Sequence, residues 1–288
     1  MHPSKKGPLI IAMTAVLWSF GGVLIKLVQW DAMTIAGLRA LPAAIVLAVY
    51  MRGPRIRFTP GVLLGALCMS ATTILFVYAN KLTTAANAIM LQYTAPVFVI
   101  LLGAILFRRK PKALDIAAVA VVFCGIALLC AGKQEGTAAL GNILALLSGI
   151  SFAGVFLVSE RADAAPEQAS FLSMILNIVI ALPFILRGVT WDAVSWGAVL
   201  VLGVFQIGLA YVLFSIGIRI TAPLAASLIA TIEPILNPVW VALVRHEMPG
   251  PLAIAGGLLV VAAVVAYNVL QIRQKRFAAP IGDLPASQ

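Results

Sequence analysis

Residues 218–244 read IRITAPLAASLIATIEPILNPVWVALV, an apolar run interrupted past its middle by one carboxylate, Glu233. At about 1.5 Å per helical residue the run is long enough to cross a hydrocarbon core of ~30 Å. An ionisable side chain at that depth is costly and is tolerated when it faces a cavity, a partner or a substrate path. Glu233, Asn237 and Trp240 recur at i, i+4 and i+7 and share one helical face. Pro234 and Pro238 each remove a backbone donor from the same span and bend it.

The rest of the chain repeats this pattern. Of 288 residues 62% are hydrophobic and only 10% charged, with a mean hydropathy of +1.07. A soluble domain carries roughly 25% charge, so a single water-soluble core is excluded. Apolar windows between charged or Pro/Gly breaks predict ten spans, at 8–27, 32–51, 61–80, 84–107, 113–131, 138–158, 169–187, 194–218, 222–244 and 250–271. The expected fold is an all-α polytopic membrane protein with short connections and no soluble domain. The stretch from Leu9 to Lys26 is too long for a signal peptide and lacks a small-x-small site after it, so it is the first span.

The net charge of +10 would suggest nucleic acid in a soluble protein. Here the basic residues sit in short loops and read as topology signals, which excludes a nucleic-acid role. One side carries Lys5, Lys6, Arg52, Arg55, Arg57, Arg108, Arg109, Lys110, Lys112, Arg161, Arg219, Arg273, Lys275 and Arg276; the other has Lys81, Lys133, Arg187 and Arg245, with Lys26 near a helix end. Both termini are therefore expected in the cytoplasm, with the chain crossing the inner (plasma) membrane and residues 272–288 forming a cytoplasmic tail. Cys68, Cys124 and Cys130 lie in apolar spans and predict no disulfide framework. His2 and His246 are terminal or in a loop, so no metal site and no cofactor are expected.

The chain also matches itself. Sliding spans 8–10 onto spans 3–5 without a gap superposes Phe76 on Phe214, Lys81 on Arg219, Thr83 on Thr221, Pro96 on Pro234 and Pro111 on Pro249. Ser19-Phe20-Gly21-Gly22-Val23 echoes Ser151-Phe152-Ala153-Gly154-Val155. Two five-span units follow, 8–131 and 138–271. Because five is odd, the second unit enters the membrane from the opposite side, an inverted repeat of the kind that builds alternating access around a midplane site.

The same residues carry a family likeness. Leu82-Thr-Thr-Ala-Ala-Asn87 followed by Tyr93-Thr-Ala-Pro96 through Arg108 resembles the fourth span of the drug/metabolite transporter superfamily, in its EamA-type, YddG-like branch. Glu233-Pro234 with Asn237-Pro238-Val239-Trp240 looks like its ninth span, Trp18-Ser19-Phe20-Gly21 like its opening helix, and Arg39 like a basic residue of its second. The resemblance implies a ten-helix carrier with a central cavity lined by spans 1, 3, 4, 6, 8 and 9. It departs after span 4, where Arg108-Arg109-Lys110-Pro111 lacks the acid that Arg245-His246-Glu247 carries after span 9.

Candidate substrate-binding residues follow from depth and type. Glu233 either carries a proton or anchors an ammonium group, or else is a carboxyl bonded to a neighbouring helix, with Arg39 as one partner. Trp18 is at mid-depth, away from any headgroup belt. Phe76, Tyr78, Tyr93, Phe152, Tyr211 and Phe214 lie at similar depth and would wall a site for an aromatic or cationic group. Asn87, Gln206 and Asn237 complete the set, whereas Asn177 reads as interhelical glue. Arg39 is read first as a structural pair and second as a carboxylate receptor. Pro96 and Pro234 are the expected hinges.

The function expected is a secondary transporter, an exporter of amino acids and related small metabolites, acting as a monomer in the bilayer. No G-x-x-x-x-G-K-[ST] loop is present to couple ATP. An uptake carrier for choline-like quaternary amines is the alternative. An intramembrane enzyme is more distant, since no His falls within a span and neither H-E-x-x-H nor G-x-S-x-G occurs.

Overall fold

The computed structural model describes residues 6–53, 55–108, 110–131, 136–221 and 229–278. They form α1 (Lys6–Ser19), α2 (Gly21–Leu27), α3 (Ala32–Tyr50), α4 (Pro60–Leu82), α5 (Ala85–Gln92), α6 (Ala95–Phe107), α7 (Ala113–Ala131), α8 (Ala138–Ser159), α9 (Pro166–Ile185), α10 (Ala193–Val201), a π-helical stretch (Leu202–Leu209), α11 (Ala210–Ile220), α12 (Ile232–Arg245) and α13 (Pro251–Ala278). No strand occurs among them. Helix starts coincide with side chains that replace missing donors: Asp31 accepts from Met33 N and Thr34 N, Thr59 from Val62 N, Thr84 from Asn87 N and Asp192 from Ser195 N.

Counting broken helices as single runs, nine runs of the described residues are long and apolar enough to span a bilayer. The remaining expected span, the ninth (222–244), is described only from residue 229, because 222–228 lie outside the described residues. The seventh span starts at Pro166 rather than at residue 169. Proline suits the first helical turn, where its missing donor would be unsatisfied anyway.

The packing has a two-fold pattern. α4 lies on α8 as α1 lies on α11, and α4 lies on α9 as α3 lies on the π-helical stretch. α5 and α6 pack on α8 as α12 packs on α1. The remaining large contacts, α3 with α9 and α7 with α13, join each span to its own counterpart five spans later. Spans joined by short loops alternate in direction, so counterparts five apart run oppositely, as an in-plane axis requires.

In hydrocarbon no hydrophobic drive joins helices, so small residues that allow close approach decide the contacts. α7 against α13 is the clearest case: a Cβ at Gly256 would meet Gly125 O at 2.7 Å, and one at Gly125 would meet Gly256 O at 3.0 Å. Gly125→Leu should force these backbones apart and destabilise the protein by about 1–3 kcal/mol, read as a lowered unfolding temperature in detergent. A variant as stable as the parent would show that this contact contributes little.

Loops tie the two halves at each end. At one end Asp163, between α8 and α9, accepts from Gly61 N at the start of α4 (2.9 Å), while Thr59 donates to Asp163 O (2.7 Å). The Arg161 guanidinium and the Gly61 N–H hold the Asp163 carboxyl below its usual range. At the other end Lys26 pairs with Glu247 (2.9 Å) and donates to Thr83 O (2.8 Å). The second Glu247 oxygen accepts from Ala85 N at the start of α5 (2.8 Å), and Lys81 donates to Val28 O (2.7 Å). Glu247 thus holds the ends of spans 1, 4 and 9 together.

Candidate functional site

The site begins with two prolines. Pro96 and Pro234 lack the N–H that would bond the carbonyl four residues earlier, and the fourth and ninth spans are both interrupted there: α5 ends at Gln92 and α6 starts at Ala95, while α12 starts at Ile232. Pro234 leaves Ala230 O without its helical donor. Tyr93, at the break in the fourth span, brings its hydroxyl to 3.2 Å from that carbonyl and 2.7 Å from Glu233 Oε2. The two breaks therefore meet through one phenol.

The hydroxyl has one proton and faces two acceptors. With Glu233 ionised, that proton serves the carboxylate or Ala230 O, not both. With Glu233 protonated, the acid donates to Tyr93 and Tyr93 donates to Ala230 O, and every group is satisfied. The protonation state of a buried carboxyl (9% exposed) is thereby tied to the backbone of the broken ninth span.

An aromatic wall stands on the first and eighth spans. Trp18 lies 5.3 Å from Phe214 and 5.9 Å from Tyr211, ring centroid to centroid. Tyr211 donates to Met69 Sδ (3.3 Å) and packs against the cluster that includes Ala40, Ala43 and Ala44 of α3. Trp240 stacks on Phe20 at 4.9 Å and donates to Ser19 Oγ (2.9 Å), binding α12 to the break between α1 and α2.

Two amides sit beside that break with bonding capacity to spare. Gln206, on the π-helical stretch, donates to Trp18 O (3.4 Å), and its Oε1 has no partner. Asn237 is fully buried, and neither its Oδ1 nor its Nδ2 is bonded. A buried unpaired amide group costs roughly 1–3 kcal/mol, so Asn237 carries unused bonding capacity at this point of the ninth span. The close approach depends on Gly22, whose added Cβ would overlap Asn237 Oδ1. Gly22→Ala is expected to leave the chain folded and lower transport severalfold, measured as initial rate in vesicles; an unchanged rate would remove Asn237 from the site.

The other expected site residues separate from this group. Asn87 donates to Leu129 O (3.4 Å) and Asn142 Oδ1 (3.2 Å), an interhelical bond between α5, α7 and α8. Phe76 is buried in an apolar cluster with Tyr78 against its edge. Phe152 packs on Phe156 (4.8 Å), which is 46% exposed. Arg39 does not pair with Glu233. Its helix, α3, packs on α4, α9 and the π-helical stretch, so the guanidinium donates to Thr73 O (3.1 Å) while Tyr93 occupies the acid. Asn177 is glue as expected, accepting from Ser70 (2.5 Å) and donating to Thr73 Oγ1 (2.9 Å). The bond to Ala230 O was not foreseen, although Pro234 alone implies a free carbonyl there. The π-helical stretch around Gln206 has no local sequence signal.

A bundle of apolar helices, broken at mid-depth where a carboxyl, unpaired amides and aromatic rings gather, is an integral membrane protein with the layout of a solute carrier. The chain belongs to the EamA-like transporter family, whose model matches residues 5–131 and again 139–269. It is 25% identical to the probable terminal-alkyne amino-acid exporter of Streptantibioticus cattleyicolor, over 96% of this chain and 98% of that protein. It is 23% identical to the pseudopaline exporter CntI of Pseudomonas aeruginosa, over 92% and 96%. Similarity to the transporter YxxF of Bacillus subtilis, 28% identical, covers 53% of this chain and spans about half (51%) of that protein.

Proposed function

We propose that this protein is a secondary carrier that exports amino acids and related small metabolites across the inner membrane by alternating access, with both termini in the cytoplasm and no catalytic step. The observation that carries the reading is the meeting of the two proline breaks at Tyr93 and Glu233. Rearrangement of the fourth and ninth spans changes the surroundings of that carboxyl, which supplies the differential interaction a switch needs. The unpaired Asn237 and Gln206 amides offer neutral donors and acceptors to a substrate, and the Trp18, Tyr211 and Phe214 rings offer it an apolar face. Export is supported by the names of the two full-length relatives, and the amino-acid class by that of the terminal-alkyne amino-acid exporter.

The aromatic wall with Glu233 favours one competing ligand, a choline-like quaternary amine taken up rather than exported. A thermal-shift screen of the purified protein against amino acids and quaternary amines separates the readings. Stabilisation by amino acids and not by choline is the expected result; the reverse pattern would replace the proposal.

A further inference from the structure

Arg39 is a buried cation with no counter-charge among the described residues. It is 3% exposed in the middle of the second span. Its guanidinium donates to the neutral Thr73 O (3.1 Å), and its Nε–H has no partner. Guanidinium does not lose its proton in proteins, so the charge stays. Among the described residues no carboxylate pairs with it. Glu233 alone falls mid-span, and its carboxyl is bonded to Tyr93; Asp31, Asp115, Asp163, Asp192 and Glu247 stand at helix starts or in loops, each with partners there.

A lone charge in hydrocarbon is costly and marks a substrate or ion path more often than a packing role. Tyr211, one ring of the aromatic wall, packs against the cluster of α3 residues that includes Ala40, the neighbour of Arg39, so the guanidinium lies on the element that backs this wall. We infer that Arg39 receives the carboxylate of the transported solute while Glu233 takes its ammonium group, so that the site selects zwitterions over simple amines. The spare Nε–H and the planar guanidinium suit a carboxylate. This assignment rests on the amino-acid reading above, and it places the carboxylate end of the solute on the second span, which that reading leaves out.

The test compares binding of a neutral amino acid with that of the primary amine obtained by removing its carboxylate, on the full-length protein in nanodiscs. Wild type should bind the amino acid about tenfold or more tightly than the amine, the scale of one charge-assisted hydrogen bond. Arg39→Gln should bring the amino acid down to the amine's affinity and leave the amine unchanged; Arg39→Lys should recover part of the difference. Equal affinities in wild type, or equal weakening of both ligands by Arg39→Gln without recovery in Arg39→Lys, overturns the assignment while leaving the amino-acid reading intact. The wild-type comparison decides this even where a variant fails to fold. Dependence on chloride in place of the carboxylate would assign the position to a free anion and overturn it as well. If wild type binds neither ligand, the amino-acid reading itself falls, and this assignment with it.

Discussion

Glu233→Gln is expected to reduce transport at least about tenfold while the protein remains folded, and to flatten whatever pH dependence the wild type shows. The amide is nearly isosteric with the protonated acid. It can donate to Tyr93 and leave the Tyr93 proton for Ala230 O, reproducing the one arrangement in which all three groups are satisfied. The variant is therefore fixed in that arrangement and has lost the charge that distinguishes the other. Tyr93→Phe acts differently, since it strips Ala230 O and Glu233 of their shared donor at a cost of about 1–3 kcal/mol. Initial rates across pH, with unfolding temperatures of the same preparations, check both. A Glu233→Gln variant with full rate and unchanged pH profile would leave the carboxyl as packing.

Glu247→Ala is the second large effect. It removes the ion pair to Lys26 and the acceptor for Ala85 N together. Both side chains are mostly buried, so the loss should reach about 2–3 kcal/mol. Glu247→Gln retains an acceptor for Ala85 N and should cost about 1 kcal/mol. A double-mutant cycle with Lys26→Met isolates the pair, and a coupling near zero would reduce it to a surface contact. The register that superposes Pro111 on Pro249 puts Arg109 where Glu247 stands, so the acid is present at one end of the repeat only. Weakening it should favour the conformations in which that end is open.

The helical, many-span character was legible at once, because 62% hydrophobic residues with basic loops have few other solutions. The meeting of the fourth and ninth spans was half legible. Pro96 and Pro234 announced the breaks, but Tyr93 reaching Ala230 O depends on how two distant helices dock, and no local pattern encodes that. The polarity of Gln206 within a span points to the site, whereas its position beside Trp18 O arises from a π-helical stretch that shifts the register of the eighth span. Asn87 and Phe152 had the same depth and type as true neighbours of Trp18; only packing sends their contacts to Asn142 and Phe156. Depth and residue type find the layer of a site, and helix rotation decides which members of the layer face it.

Solute counterflow in proteoliposomes reads the central claim most directly, that opposed helical bundles present a Glu233 site to each face in turn. Vesicles preloaded with an unlabelled amino acid should transiently concentrate the labelled one above its external level without any imposed gradient. Equilibration with no overshoot, or no movement of any amino acid or quaternary amine, would contradict a carrier built in this way.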